Sequence, residues 1–143
     1  GEKIIKSKTT ENYFFLLINP NVRLSTGDVF KHYEKYLNSE VHKNQLYFGN
    51  IKIYNSLLLS AISLAPSISP ILISLKKAQN IVTYGMTGSG STCFGIFKNL
   101  DDIVIFLKIF KQASYQNYFT WYGKKKDYNL NRVTYSKMLE KKY

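Results

Sequence analysis

The sequence predicts an α+β sandwich in which a small antiparallel sheet carries helices on one face. Two observations carry this. Short strand-type runs are mixed in order with runs whose apolar residues recur at helical spacing. Two apolar runs, at 81–86 and 92–97, flank a glycine-rich loop as the arms of a hairpin flank its turn. The 143 residues suit one domain with a core of useful size.

The elements follow in order. Residues 1–12 are polar and read as a connector, and residues 13–123 as the folded domain. Residues 13–19, aromatic and aliphatic, predict a strand that Pro20 stops. A loop leads to a helix over 27–37, with Val29, Phe30 and Tyr33 on one face. Residues 38–50 are polar without a clear period and read as a variable loop. A helix is expected over 56–64, broken by Ala65-Pro66-Ser67. The next helix is expected over 70–79, with Ile71, Leu72 and Leu75 inward and Asn80 as C-cap. Lys76 and Lys77 near its end suit the negative end of the helix dipole. The strands at 81–86 and 92–97 come next. A helix over 102–113 follows, capped by Asn99 or Asp101, with Ile103, Phe106, Leu107 and Phe110 at helical spacing. A last strand is read at 118–123, and residues 124–143 as a basic tail of weak structure.

The glycine-rich loop holds the chemistry. Gly85, Gly88 and Gly90 share eight positions with Thr87, Ser89, Ser91 and Thr92. Glycine permits φ > 0 and lets backbone N–H groups approach an anion, and the hydroxyls can add bonds to phosphate oxygens. The structural alternative is a hairpin with a glycine turn. The two common phosphate motifs are not intact here. Gly85 to Gly90 has the P-loop spacing and Thr92 its final hydroxyl, but Ser91 stands where the lysine belongs. For the dinucleotide fingerprint, Cys93 replaces the third glycine and a strand follows in place of a helix.

Composition narrows the partners. No apolar run reaches the ~18–20 residues of a membrane span. The single cysteine excludes an internal disulfide, and His32, His42 and Cys93 would need a further ligand to hold zinc, so no metal site is expected. One cysteine suits a reducing, cytoplasmic setting. The opening Gly1-Glu2-Lys3 lacks a start methionine and reads as part of a longer chain, with no signal-peptide pattern. The net charge is +11, yet of 20 basic residues only Arg23 and Arg132 are arginine, the residue suited to reading base edges. The lysines are dispersed except for the run from Lys124 to Lys126, which reads as a solvated surface able to attract nucleoside phosphates.

Three segments, in order, resemble the C-terminal half of the 4-diphosphocytidyl-2-C-methyl-D-erythritol kinase family of the GHMP kinase superfamily. Leu17-Ile18-Asn19-Pro20-Asn21-Val22-Arg23-Leu24-Ser25-Thr26 with Val29-Phe30 is similar to the family's NPGV…ST…F segment. Tyr54-Asn55-Ser56-Leu57, Ala61 and Leu64-Ala65-Pro66 are similar to its NDL…A…P helix. The run from Met86 to Phe97 is similar to its MSGSGATCFGLF motif. Asn21 replaces the usual glycine, and Ser56 the usual acid.

The resemblance implies a ferredoxin-like domain, and a kinase that transfers the γ-phosphoryl of ATP, with Mg2+, to the 2-hydroxyl of the cytidyl substrate of non-mevalonate isoprenoid synthesis. It implies that the main ATP loop and the catalytic Asp and Lys lie in an N-terminal half that nothing here matches. The chain is then the substrate-side domain, contributing no catalytic residue and inactive alone. Its partners would be that half and the cytidyl substrate, with neither nucleic acid nor membrane. Phe30 would stack on cytosine, Thr26 would lie beside it, and Thr87, Gly88, Ser89, Gly90 and Ser91 would wall the phosphate site. From the residues alone, Phe30 also reads as a core aromatic and Asn55 as a helix cap or a ligand. Cys93 reads as a small buried residue without a neighbouring base. A different class remains open, a ferredoxin-like nucleic-acid-binding module with Tyr118, Phe119, Trp121 and Tyr122 as stacking surfaces. So does another GHMP kinase with a different alcohol substrate.

Overall fold

The computed structural model describes residues 12–33, 55–113 and 118–124, and the backbone of 46–48 and 51–53. Its elements are β1 (Phe14–Asn19), α1 (Thr26–Tyr33), β2 (Leu46–Phe48), β3 (Ile51–Ile53), α2 (Leu58–Leu64), α3 (Ile68–Lys76), β4 (Ile81–Met86), β5 (Cys93–Phe97), α4 (Leu100–Gln112) and β6 (Phe119–Lys124). Four strands form one antiparallel sheet in the order β4-β5-β1-β6. Strands β5 and β6 both run antiparallel to β1, so α4 joins two parallel strands across it. The segment from α1 to α3 joins β1 to β4 across β5 in the same way. Two such split βαβ units make the ferredoxin-like topology that the resemblance implies.

Register decides which side chains meet the helices. Phe14, Leu16 and Ile18 of β1 pair with Phe97, Gly95 and Cys93 of β5 and with Lys124, Tyr122 and Thr120 of β6. That face packs against Val29 of α1, Ala61 of α2, Ile68, Ile71 and Leu75 of α3, and Ile103, Phe106, Leu107 and Phe110 of α4. Each fully buried aliphatic or aromatic side chain here contributes about 1.5–3 kcal/mol. An aromatic series ties α4 to its neighbours. The ring centroids of Phe97 and Phe106 lie 6.4 Å apart, those of Phe106 and Phe110 5.3 Å, and those of Phe110 and Tyr118 6.1 Å.

Several expectations are corrected by particular residues. The strand within the expected loop at 38–50 is β2, paired with β3, with Phe48 opposite Ile51. Pro20 ends β1 as expected. Helix α3 starts two residues ahead of Pro70, which sits in the first turn where its missing N–H costs nothing. Its C-cap is Lys77, not Asn80. Asn80 instead takes a left-handed φ of 60° in the turn into β4, and its amide donates to Asp102 Oδ1 at 3.3 Å. Helix α4 is preceded by Asn99 in extended conformation, whose amide donates to Asp102 Oδ2 at 3.5 Å in place of capping a backbone N–H. Lys124, expected in the tail, ends β6. The expected extension of α1 over residues 34–37, most of the connector and the tail beyond Lys124 lie outside the described residues.

Candidate functional site

The ends of β1 and β4, the start of α1 and the residue ahead of α2 converge on the glycine-rich loop. The loop closes by a bond from Thr87 N–H to Thr92 O at 2.8 Å and contains a turn in which Gly90 N–H donates to Thr87 O at 2.9 Å. Gly88 and Gly90 take φ values of +50° and +90°. A Cβ on Gly90 would stand 3.0 Å from Met86 Sδ and 3.1 Å from Leu24 Cδ1, whereas a Cβ on Gly88 would meet nothing within 4 Å. Gly90 is thus glycine for conformation and for packing. Gly88 is glycine for conformation, beside open space.

Four segments hold this loop. Asn19, at the end of β1, donates its amide to Thr92 Oγ1 at 2.9 Å and accepts from Asn21 N–H at 2.7 Å. Asn21 has φ of +61°, so the position that is glycine in the resembling family keeps a left-handed backbone, which asparagine tolerates. Asn55 donates its amide to Met86 O at 2.8 Å and Gly88 O at 2.7 Å, while its Oδ1 accepts from Leu57 N–H at 3.0 Å. It therefore caps the turn into α2 and grips the loop at once. Ser91 donates to Val22 O at 2.5 Å and is buried.

Ser25 accepts the Asp28 N–H at 3.3 Å, which makes Ser25 the N-cap of α1 and Thr26 its first helical residue. The Thr26 hydroxyl then lies 3.3 Å from the Ser89 hydroxyl at the loop. Phe30, one helical turn further on, shares that side of α1 and is 55 % exposed. Its neighbour Val29 is fully buried, and the Val29 carbonyl accepts the buried Ser60 hydroxyl of α2. The anchored Val29 leaves Phe30 on the open side, so its reading as a core aromatic does not hold.

The expected phosphate-loop residues divide in two. The side chain of Ser91 points inward to Val22, so its expected hydroxyl bond to phosphate is withdrawn. The Thr87 hydroxyl donates to Thr92 O at 3.2 Å within the loop. Ser89 and Thr26 remain as outward hydroxyls. The N–H groups of Gly88 and Ser89 have no acceptor among the described residues.

Residues 40–116 match the family described as GHMP kinases C terminal, more than half of the chain. The chain belongs to the GHMP kinase C-terminal family. It is 31% identical to a 4-diphosphocytidyl-2-C-methyl-D-erythritol kinase of Prochlorococcus marinus (strain AS9601), over 82% of this chain and 46% of that protein. A protein of the same name from Ehrlichia canis (strain Jake) is 38% identical over 61% of this chain and 34% of its own length. One from Ehrlichia ruminantium (strain Gardel) is 41% identical over 38% of this chain and 19% of its own. The chain spans about half the length of the Prochlorococcus relative.

In this GHMP kinase C-terminal chain the single cysteine is fully buried. Burial pushes the Cys93 thiol up to about 12, and at neutral pH it stays protonated and inert. Among the described residues no group of three His, Cys, Asp or Glu side chains could hold a metal ion, and no helix is long and apolar enough to cross a membrane. Of the aromatics considered for base stacking, Trp121 is 1 % exposed, and Tyr118 and Tyr122 pack against the core. Phe119, the fourth of them, is partly buried at the start of β6.

Sequence reasoning missed Asn19 and the grip of Asn55. The Ser25-Thr26-Gly27-Asp28 run is a capping signature that marks the helix start one residue earlier than expected. No sequence signal shows that Asn55 reaches residues 31 and 33 positions away.

Proposed function

We propose that this chain is the substrate-side domain of an ATP-dependent kinase acting on 4-diphosphocytidyl-2-C-methyl-D-erythritol, whose catalytic groups lie outside it. The observation that carries this is the contact of Thr26 with Ser89. It sets a helix bearing an exposed aromatic against a glycine loop whose Gly88 and Ser89 N–H groups have no acceptor among the described residues. Phosphoryl transfer is mostly positioning and charge stabilisation. The N–H groups of Gly88 and Ser89 and the Ser89 hydroxyl would line one wall of the phosphate site. Phe30 would hold the cytosine ring and Thr26 would sit between base and phosphates. The names and coverage of the relatives support the same reading.

Mg2+ would enter with ATP. This chain's part would be to hold the phosphates and the base. The test is ATP turnover by the longer polypeptide that contains this chain, with the cytidyl substrate beside other small alcohols and their phosphates. Turnover confined to the cytidyl substrate is expected. Equal or better turnover of an alcohol without a nucleobase would replace this reading with that of another GHMP kinase.

A further inference from the structure

We infer that Asn55 is a positioning residue that sets the direction of the Ser89 N–H, an inference resting on the reading of the loop as a phosphate wall. The Asn55 amide donates one proton to Met86 O at 2.8 Å and the other to Gly88 O at 2.7 Å, and its Oδ1 accepts the Leu57 N–H at 3.0 Å. All three partners are backbone groups of fixed polarity, so only one orientation of the amide satisfies them. In a planar trans peptide the C=O and the following N–H point in opposite directions. With Met86 O turned to Asn55, Thr87 N–H points away from it, where it meets Thr92 O at 2.8 Å. With Gly88 O turned to Asn55, Ser89 N–H likewise points away from it, and it meets no acceptor among the described residues. The positive φ of Gly88 accompanies this turn of the peptide. Asn55 thus links the start of α2 to a loop peptide whose N–H, that of Ser89, has no acceptor among the described residues.

Asn55→Asp separates this role from helix capping. The carboxylate still accepts from Leu57 N–H, but it sets a negative oxygen against the carbonyls of Met86 and Gly88. The experiment uses the longer polypeptide, read by amide hydrogen exchange over residues 86–92 and by steady-state kinetics per folded molecule. Asn55→Asp is expected to speed exchange of the Thr87 and Gly90 amides about tenfold. It should lower kcat/KM for ATP ten- to a hundredfold with the KM for the cytidyl substrate within twofold. Lost capping would lower only the folded fraction and leave both KM values unchanged. Exchange and ATP kinetics both within twofold of wild type would overturn the inference. Faster exchange with unchanged ATP kinetics would overturn the positioning role and the phosphate-wall reading together. A wild-type polypeptide without turnover would overturn the kinase reading, and exchange would still report whether the grip exists. If Asn55→Asp does not fold, Asn55→Ala is read by the same two measurements, with the same results expected and the same results overturning.

Discussion

Phe30 and the glycines of the loop are where single side chains decide function. Phe30→Ala in the longer polypeptide should raise the KM for the cytidyl substrate and leave that for ATP nearly unchanged. The expected loss is about 1–3 kcal/mol in kcat/KM, the range for a base stacked on an aromatic. Because Phe30 is mostly exposed, its removal should change stability by less than about 0.5 kcal/mol. An unchanged cytidyl KM would reject the stacking role. Gly88→Val and Gly90→Val test the loop together. Both force a β-branched residue into positive φ, at about 1–2 kcal/mol, but only at Gly90 does the new Cβ also crowd Met86 and Leu24. Gly90→Val should therefore lower the melting temperature more, while Gly88→Val should nearly abolish turnover in a protein that still folds. Near-normal turnover by Gly88→Val at saturating ATP would reduce the loop to a structural turn. At this scale the sequence was informative about residue type and silent about direction. Val29, Phe30 and Tyr33 fall on one apolar side of a helix, and only the packing of Val29 against α2 shows which ring is left outside. Three hydroxyls, of Thr87, Ser89 and Ser91, are equivalent in the sequence, and the structure separates them by bonding Ser91 to Val22 O and Thr87 to Thr92 O.

Elements were legible in proportion to the length and purity of their period. Helix α4 shows the clearest helical spacing, and its four expected core residues are all buried. The hairpin of β2 and β3 escaped because each strand has three residues, too few to show alternation, within a polar stretch. The dipeptide Gly49-Asn50 between Phe48 and Ile51 was the available sign, since it is a common two-residue hairpin connection. Helix α3 began earlier than Pro70 suggested, because proline is tolerated throughout a first turn whose N–H groups have no helical acceptor. The faces of α4 give a direct test of the element. Leu107 is fully buried and Ile109 is 65 % exposed, two positions apart. Leu107→Ala should cost about 2–5 kcal/mol in denaturant unfolding, and Ile109→Ala less than about 0.5 kcal/mol. Comparable losses at both positions would mean that a further surface covers the outer side of α4.

On the scale of the whole molecule, the sheet and the described helices share one hydrophobic core, while the proposed site draws a single wall from the described residues. The fold was legible because mixed strands and helices around a hairpin loop leave few packing solutions. The expectation of a further, catalytic half came only through the resemblance, since spacing cannot show what faces a loop. The proposal that this chain does not catalyse alone draws on the chemistry of the loop. The P-loop lysine position is Ser91, which is turned inward. The outward groups of the loop are neutral donors, and the described residues hold no cluster able to bind a metal ion. Neutral donors can orient a phosphate but cannot by themselves balance the charge that phosphoryl transfer spreads over its oxygens. The 143-residue chain by itself should therefore fold cooperatively and show no ATP turnover with the cytidyl substrate. Thermal melting by circular dichroism checks the first half, and a coupled ATP assay at high protein concentration checks the second. Turnover well above background, removed by Gly88→Val in this same chain, would place the catalytic groups within these residues and overturn the division of labour proposed for it.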